Sequence, residues 1–160
     1  MIRVCSTSAD DTRAIGAEVA ALAGPGDLVL LGGELGTGKT TFAQGFGAAL
    51  GVVERITSPT FTLVRTYAGR IPLVHADVYR LDRLQEVIDL GLAEPLDDGA
   101  VALVEWGDVA SSTFSPDYLS VGLAHDEVVE DWRWVVLRPV GSRWAARSEA
   151  LRRAVDRWRP

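Results

Sequence analysis

A three-layer α/β domain, its central mixed sheet parallel in the middle and antiparallel at the flanks, is the fold class this chain of 160 residues predicts. Three stretches carry that expectation. Leu28-Val29-Leu30-Leu31 is a short apolar run that enters a glycine-rich loop and then a helix-period segment ending at Gly51, a strand–loop–helix unit. Val101-Ala102-Leu103-Val104-Glu105 is a continuous apolar run closed by an acid, the pattern of a strand buried on both faces of a parallel sheet. Tyr118 to Ala124 and Trp132 to Val140 read as an antiparallel pair joined by the acidic cluster Asp126, Glu127, Glu130 and Asp131.

The remaining elements follow in order. Ile2-Arg3-Val4 predicts a short first strand. Ser8 and Asp11 make an approximate capping box for a helix whose Ile15, Val19 and Leu22 form one apolar face, and Gly24-Pro25-Gly26-Asp27 turns the chain. Thr57 to Tyr67, a turn at Ala68-Gly69-Arg70 and the run Ile71 to Tyr79 read as a hairpin. Asp82 and Gln85 are expected to cap a helix carrying Leu84, Val87 and Ile88 that ends near Gly91. A last helix sets Trp144, Leu151, Val155 and Trp158 on one stripe and is expected to dock on the sheet. No repeat or linker interrupts the chain, so residues 1–160 read as a single domain.

The loop after the first apolar run is Gly33-Glu34-Leu35-Gly36-Thr37-Gly38-Lys39-Thr40, which meets the G-x-x-x-x-G-K-[ST] spacing of a phosphate-binding loop. The glycines let the backbone curl around an anion, so Glu34, Leu35, Gly36, Thr37, Gly38, Lys39, Thr40 and Thr41 are the expected cradle for nucleotide phosphates. The following helix turns its N-terminal N–H groups toward the same point. Lys39 adds a point charge, and Thr40 offers a hydroxyl to Mg²⁺. Lys39 is the only lysine in a chain whose other fifteen cationic residues are arginine. An arginine-rich composition explains the lack of lysine elsewhere, but not its retention where a compact ammonium fits and a planar guanidinium does not. These observations predict a P-loop NTPase.

Composition narrows the class further. Hydrophobic residues make up 48% of the chain, enough for a real core. The single Cys5 excludes an internal disulfide and a thiolate metal site, and fits a reducing cytoplasm. No apolar run approaches the roughly 18 residues of a membrane span. The net charge of −6 argues against general nucleic-acid binding, so any RNA role is expected to involve a partner. Residues 138–160 hold seven arginines against Glu149 and Asp156, a local charge of +5, leaving −11 on the rest. A solvated face paired to the acidic body is the commoner reason for such a run; contact with tRNA or an acidic protein is the other.

A Mg²⁺ held by one hydroxyl and phosphate oxygens needs a nearby carboxylate, and hydrolysis needs a group that orients water. Glu105, at the carboxyl end of a buried strand, stands where ligands bind in open α/β sheets. Asp77 ends the run Leu73-Val74-His75-Ala76-Asp77 and is the second candidate. His75 reads as a core or hydrogen-bonded histidine rather than a catalyst.

Four islands together resemble one family: G-E-L-G-T-G-K-T, S-P-T-F-T-L at Ser58 to Leu63, H-A-D-V-Y-R-L at His75 to Leu81, and V-E-W at Val104 to Trp106. In order and spacing they are similar to the bacterial TsaE (formerly YjeE) ATPases of tRNA threonylcarbamoyladenosine synthesis, over roughly residues 28–107. The first island is shared by many ATPases; the other three single out this family. The resemblance implies a small cytoplasmic ATPase that works with TsaB and TsaD, and alongside TsaC, to modify the adenosine beside the anticodon, meeting tRNA only through the complex. It implies Thr40 and Glu105 at Mg²⁺, Asp77 near the metal and attacking water, Thr60 in a switch-like segment near the γ-phosphate, and Trp106 beside the nucleotide, with Lys39, Asp77 and Glu105 as the catalytic set. Arg80, Arg65 and Arg55, in that order, are candidates to neutralise the transition state. Ala76 departs from the family, which has a larger apolar residue there, at a packing position.

Two other classes compete. A small-molecule P-loop kinase needs an arginine-rich lid, and the Asp82 to Asp98 segment holds only Arg83. A non-hydrolysing adaptor would use ATP only to order a binding surface. A GTP switch of the N-K-x-D type is excluded, because no second lysine exists.

Overall fold

A computed structural model describes residues 1–59, 63–79, 81, 83–106 and 115–160, leaving aside the side chain of Leu84. Of the residues named above, Thr60, Phe61, Thr62, Arg80 and Asp82 lie outside the described residues.

The apolar runs become seven strands of one sheet: β1 (Ile2–Ser6), β2 (Leu28–Gly32), β3 (Val64–Tyr67), β4 (Leu73–Asp77), β5 (Val101–Glu105), β6 (Tyr118–His125) and β7 (Arg133–Val140), in the order β1-β7-β6-β2-β5-β4-β3. β6, β2, β5 and β4 run parallel, while β3, β7 and β1 pair antiparallel at the flanks. Every residue of β4 and β5 is buried, which is why neither alternates apolar with polar: β5 is apolar up to Glu105, and β4 is apolar up to Asp77 except at His75.

Helices cover both faces. α1 (Ala9–Leu22) and α2 (Lys39–Ala49) lie on one face over Val29, Leu31, Leu103 and Val121, with Ile15, Val19, Phe42 and Phe46 filling the space between. The two helices touch backbone to backbone: a Cβ on Gly45 would stand 1.9 Å from the Arg13 carbonyl, and one on Gly16 2.3 Å from that of Phe42. α3 (Leu84–Asp89) and α4 (Ala93–Asp97) flank the opposite face, where Leu28, Leu30, Val74, Ala102 and Val104 form a second cluster with Leu92. No helix among the described residues is long and apolar enough to cross a membrane.

Three local expectations are corrected. At the start of α1 the Ser8 hydroxyl accepts from the Asp11 N–H at 3.1 Å, but Asp11 reaches back to the N–H and hydroxyl of Thr7 rather than to Ser8. At α3 the carboxylate of Glu86, not Gln85, accepts the backbone N–H of Arg83, and Gln85 instead pairs one turn on with Asp89. The C-terminal stripe is buried as expected, yet it is carried by two short helices, α5 (Ser142–Ala145) and α6 (Ser148–Ala154), and a 3₁₀ turn at Asp156–Trp158. The joint is Arg147, whose guanidinium lies 4.2 Å from the Trp144 ring and binds Asp27 and the Leu22 carbonyl. The segment therefore leans on α1 as well as on the sheet.

Candidate functional site

β2 lies between β5 and β6, so its carboxyl end feeds the loop into the middle of the sheet edge. There Gly33 presses against β6, and a Cβ in its place would meet the Leu123 carbonyl at 2.4 Å. Gly38 takes φ 103° and caps α2, a left-handed conformation that a side chain would strain. The Thr37 hydroxyl donates to the Glu34 carbonyl at 2.8 Å and is buried inside the loop. The Lys39 ammonium folds back over the same loop, donating to the carbonyls of Gly33 and Glu34 at 2.8 Å each. It also lies 4.0 Å from the centre of the Trp106 ring.

Across from the loop stand the two acids. β4 and β5 are paired in a register that sets Asp77 opposite Glu105 and His75 opposite Leu103. Because side chains alternate along a strand, His75, Asp77 and Glu105 all project to the α2 face. Both carboxylates are buried. Burial pushes the Asp77 carboxyl above its ordinary value; the Tyr79 N–H, donating at 2.9 Å, opposes this, the Glu105 charge adds to it, and His75 and Lys39 oppose it more weakly. His75 Nε2 lies 3.0 Å from Glu105 Oε1. After Glu105 the chain turns through Trp106 at φ 65°, with its N–H on the Leu31 carbonyl at 2.6 Å. A bulky residue held left-handed costs of order 1–3 kcal/mol. The turn brings the indole against both Lys39 and Tyr79, the two rings' centres 4.6 Å apart.

Leu35, Gly36, Gly38, Lys39, Thr40, Thr41, Asp77, Glu105 and Trp106 thus line one groove of about 540 Å³. Glu34 and Thr37 are absent from that lining; their part in the loop is the hydrogen bonding just described. Thr60 and Arg80 are not described, Arg65 donates to Thr57 on the β3 side, and Arg55 lines a separate groove with Arg13 and Gln44. Two lining residues, Ser58 and Tyr79, escaped selection from the sequence although each sits inside a motif island. Tyr79 is 62% exposed and Leu35 89% exposed, so the mouth of the groove is apolar.

A larger groove, about 710 Å³, lies at the antiparallel edge between Cys5, Trp132, Trp134 and Trp158. The indole N–H groups of Trp134 and Trp158 are spent on Asp126 and Asp11, and Arg3 and Arg157 stack on their rings. That edge is held together by these contacts.

The donor set of the smaller groove fits a magnesium–triphosphate. An ammonium and a helix N-terminus face hard oxygen donors from Thr40, Asp77 and Glu105. No group of three or more acid, histidine or cysteine ligands occurs among the described residues, so a cation here would need phosphate oxygens to complete its shell.

A family model described as "Threonylcarbamoyl adenosine biosynthesis protein TsaE" matches residues 6–133. The chain is 39% identical over 145 residues to the tRNA threonylcarbamoyladenosine biosynthesis protein TsaE of Bacillus subtilis (strain 168), covering 90% of this chain and 89% of the relative. It is 44% identical over 117 residues to that of Treponema pallidum (strain Nichols), covering 73% and 86%. It is 41% identical over 139 residues to that of Streptomyces coelicolor, covering 83% and 93%. The crystal structure of Bacillus subtilus YdiB superposes with a TM-score of 0.78 at 34% identity, over 95% of this chain and 94% of that one. With the motif islands, the sheet order and these relatives in agreement, the chain belongs to the TsaE family.

Proposed function

We propose that this chain is a single-domain, cytoplasmic P-loop ATPase that binds ATP with Mg²⁺ and serves the synthesis of threonylcarbamoyladenosine in tRNA. The observation that carries the reading is the juxtaposition of Lys39 and Thr40 with Asp77 and Glu105 around one groove.

In this reading Lys39 leaves the loop carbonyls to bind the β- and γ-phosphates, and the start of α2 holds the β-phosphate on its N–H groups. Thr40 and Glu105 hold Mg²⁺, which supplies charge neutralisation when bound. Asp77, lifted by burial, is suited to hold the water that attacks the γ-phosphate. Trp106 closes one side of the pocket. TsaD and TsaB are the partners, with TsaC acting in the same pathway, and tRNA is reached through them. The exposed Leu35 and Tyr79 beside the groove favour docking of a partner over the nucleotide, which would make turnover partner-stimulated and slow alone. A small-molecule kinase has no comparable support.

The test is nucleotide binding and ATP turnover, with and without the partners, in Lys39→Ala, Asp77→Ala and Glu105→Ala. Lys39→Ala is expected to lose binding. The two acid variants should keep most affinity and lose turnover by about 10²-fold or more, the usual effect of removing a group that acts in the transition state. Normal turnover in both acid variants would sink the catalytic assignment. ATP-dependent binding to the partners without any hydrolysis would leave the adaptor.

A further inference from the structure

His75 sits one rung behind the two acids, on the same face of β4 as Asp77 and diagonal to Glu105 across the parallel pair. No part of its ring is exposed. Nε2 lies 3.0 Å from Glu105 Oε1, whereas Nδ1 is buried with no hydrogen-bond partner among the described residues. A neutral imidazole has one donor and one acceptor nitrogen, and a carboxylate accepts only. An N–H at Nδ1 would be orphaned in the interior, a costly arrangement, while an N–H at Nε2 is satisfied by Glu105. The proton therefore belongs on Nε2.

We propose that His75 is a positioning residue for Glu105. Its Nε2–H holds one carboxylate oxygen, fixes the side chain's rotamer and leaves the second oxygen for the cation. The inference rests on the proposed metal role of Glu105. It explains why a polar ring is buried in a strand whose other inward residues up to Asp77 are apolar, with one nitrogen left unsatisfied. A ring placed only to fill space would have no need of its N–H. Partners of this kind, bonded to a ligand rather than to the ion, typically change metal affinity or activity by about 10–100-fold when removed.

Two substitutions separate these roles in the full chain. The amide nitrogen of His75→Gln reaches the place of Nε2, and that of His75→Asn reaches only the place of Nδ1, so both bury an amide but only the first can bond Glu105. Affinity for a fluorescent ADP analogue is measured with and without Mg²⁺, alongside kcat and KM for ATP. His75→Gln should keep the Mg²⁺-dependent gain in affinity. His75→Asn should lose about 10–100-fold of it with Mg²⁺-free affinity unchanged, and kcat should fall more than KM rises. Equal behaviour of the two variants, or equal losses with and without Mg²⁺, overturns the proposal. A wild-type chain whose nucleotide affinity ignores Mg²⁺ overturns the metal role of Glu105 itself, and the His75 proposal with it. A second measurement needs no His75 variant: the chain has two histidines, His75 and His125, so their ring ¹⁵N signals are readily assigned. A protonated Nε2 and bare Nδ1 at His75, both shifted in Glu105→Gln, are expected; a proton on Nδ1 overturns the inference.

Discussion

Two buried acid sites bracket the same strand, and they are built in opposite ways. At the amino end of β2, Asp27 is saturated. Its carboxylate accepts from both terminal nitrogens of Arg147 and, at 2.7 Å, from the Gly24 N–H, and Arg143 approaches to 3.3 Å. At the carboxyl end, beside Leu31, the pair Asp77 and Glu105 has no arginine among the described residues: one backbone N–H serves Asp77 and one imidazole serves Glu105. A saturated buried charge has its partners in the chain itself and serves the fold. Two under-partnered acids side by side are costly unless a cation completes them, and such costs gather at functional sites.

The contrast can be broken most forcefully at Arg147. Arg147→Ala leaves Asp27 charged and buried with only Arg143 and a backbone N–H to answer it, so the fold should lose about 3 kcal/mol in urea denaturation. Nucleotide affinity of the folded fraction should not change, since Asp27 lies at the far end of the strand. A loss of affinity in step with stability would erase the distinction between the two sites.

The same substitution chemistry should act in reverse at the other end. Asp77→Asn removes a charge that the fold disfavours while keeping an acceptor for the Tyr79 N–H, so stability at pH 7 should rise by about 1 kcal/mol as turnover is lost. The sign follows from the direction of the shift. A carboxyl raised above its ordinary 3.8 on folding imposes no penalty below that pH and destabilises as pH climbs through the folded value. The gain from Asp77→Asn should therefore be full at pH 7 and shrink as the pH approaches 3.8, read by denaturant titration at several pH values. A gain that is constant with pH would mean that the charge of Asp77 carries no cost.

The smallest effect is expected on the surface of α6. Arg153 pairs with Glu149 at 3.2 Å, but both side chains are largely in water. Arg153→Ala should change stability by no more than about 0.5 kcal/mol, and less in high salt. A larger loss would show that the arginine-rich tail stabilises the fold through its charge in general rather than through Arg147 and Arg143 in particular.

Local chemistry made part of this legible beforehand. The glycine-rich loop is written in consecutive residues, so glycine spacing and a lone lysine were enough to find it, and the buried strands β2 and β5 announce themselves as apolar runs. Asp77 and Glu105 could be picked out one at a time, as acids closing such runs. Their register could not be read, because nothing in either strand specifies which residue of the other it faces; that is decided by packing on both sides of the sheet. The bond from His75 to Glu105 follows from that register and was hidden with it. The break at Arg147 was hidden for a related reason: helical periodicity runs straight through it, and the group that draws the guanidinium away, Asp27, lies 120 residues earlier.

The backbone contact between α1 and α2 has a mechanical consequence. With a glycine on each helix pressed against a carbonyl of the other, no compressible side chain lies at those two crossings to absorb a displacement. The helices behave as one stiff strut. Its near end is the loop, where Thr12 stands beside Gly38. At that same end Asp11 is tied to the indole of Trp158, on the last turn of the chain. A displacement at that loop is thus expected to reach the C-terminal segment through α1.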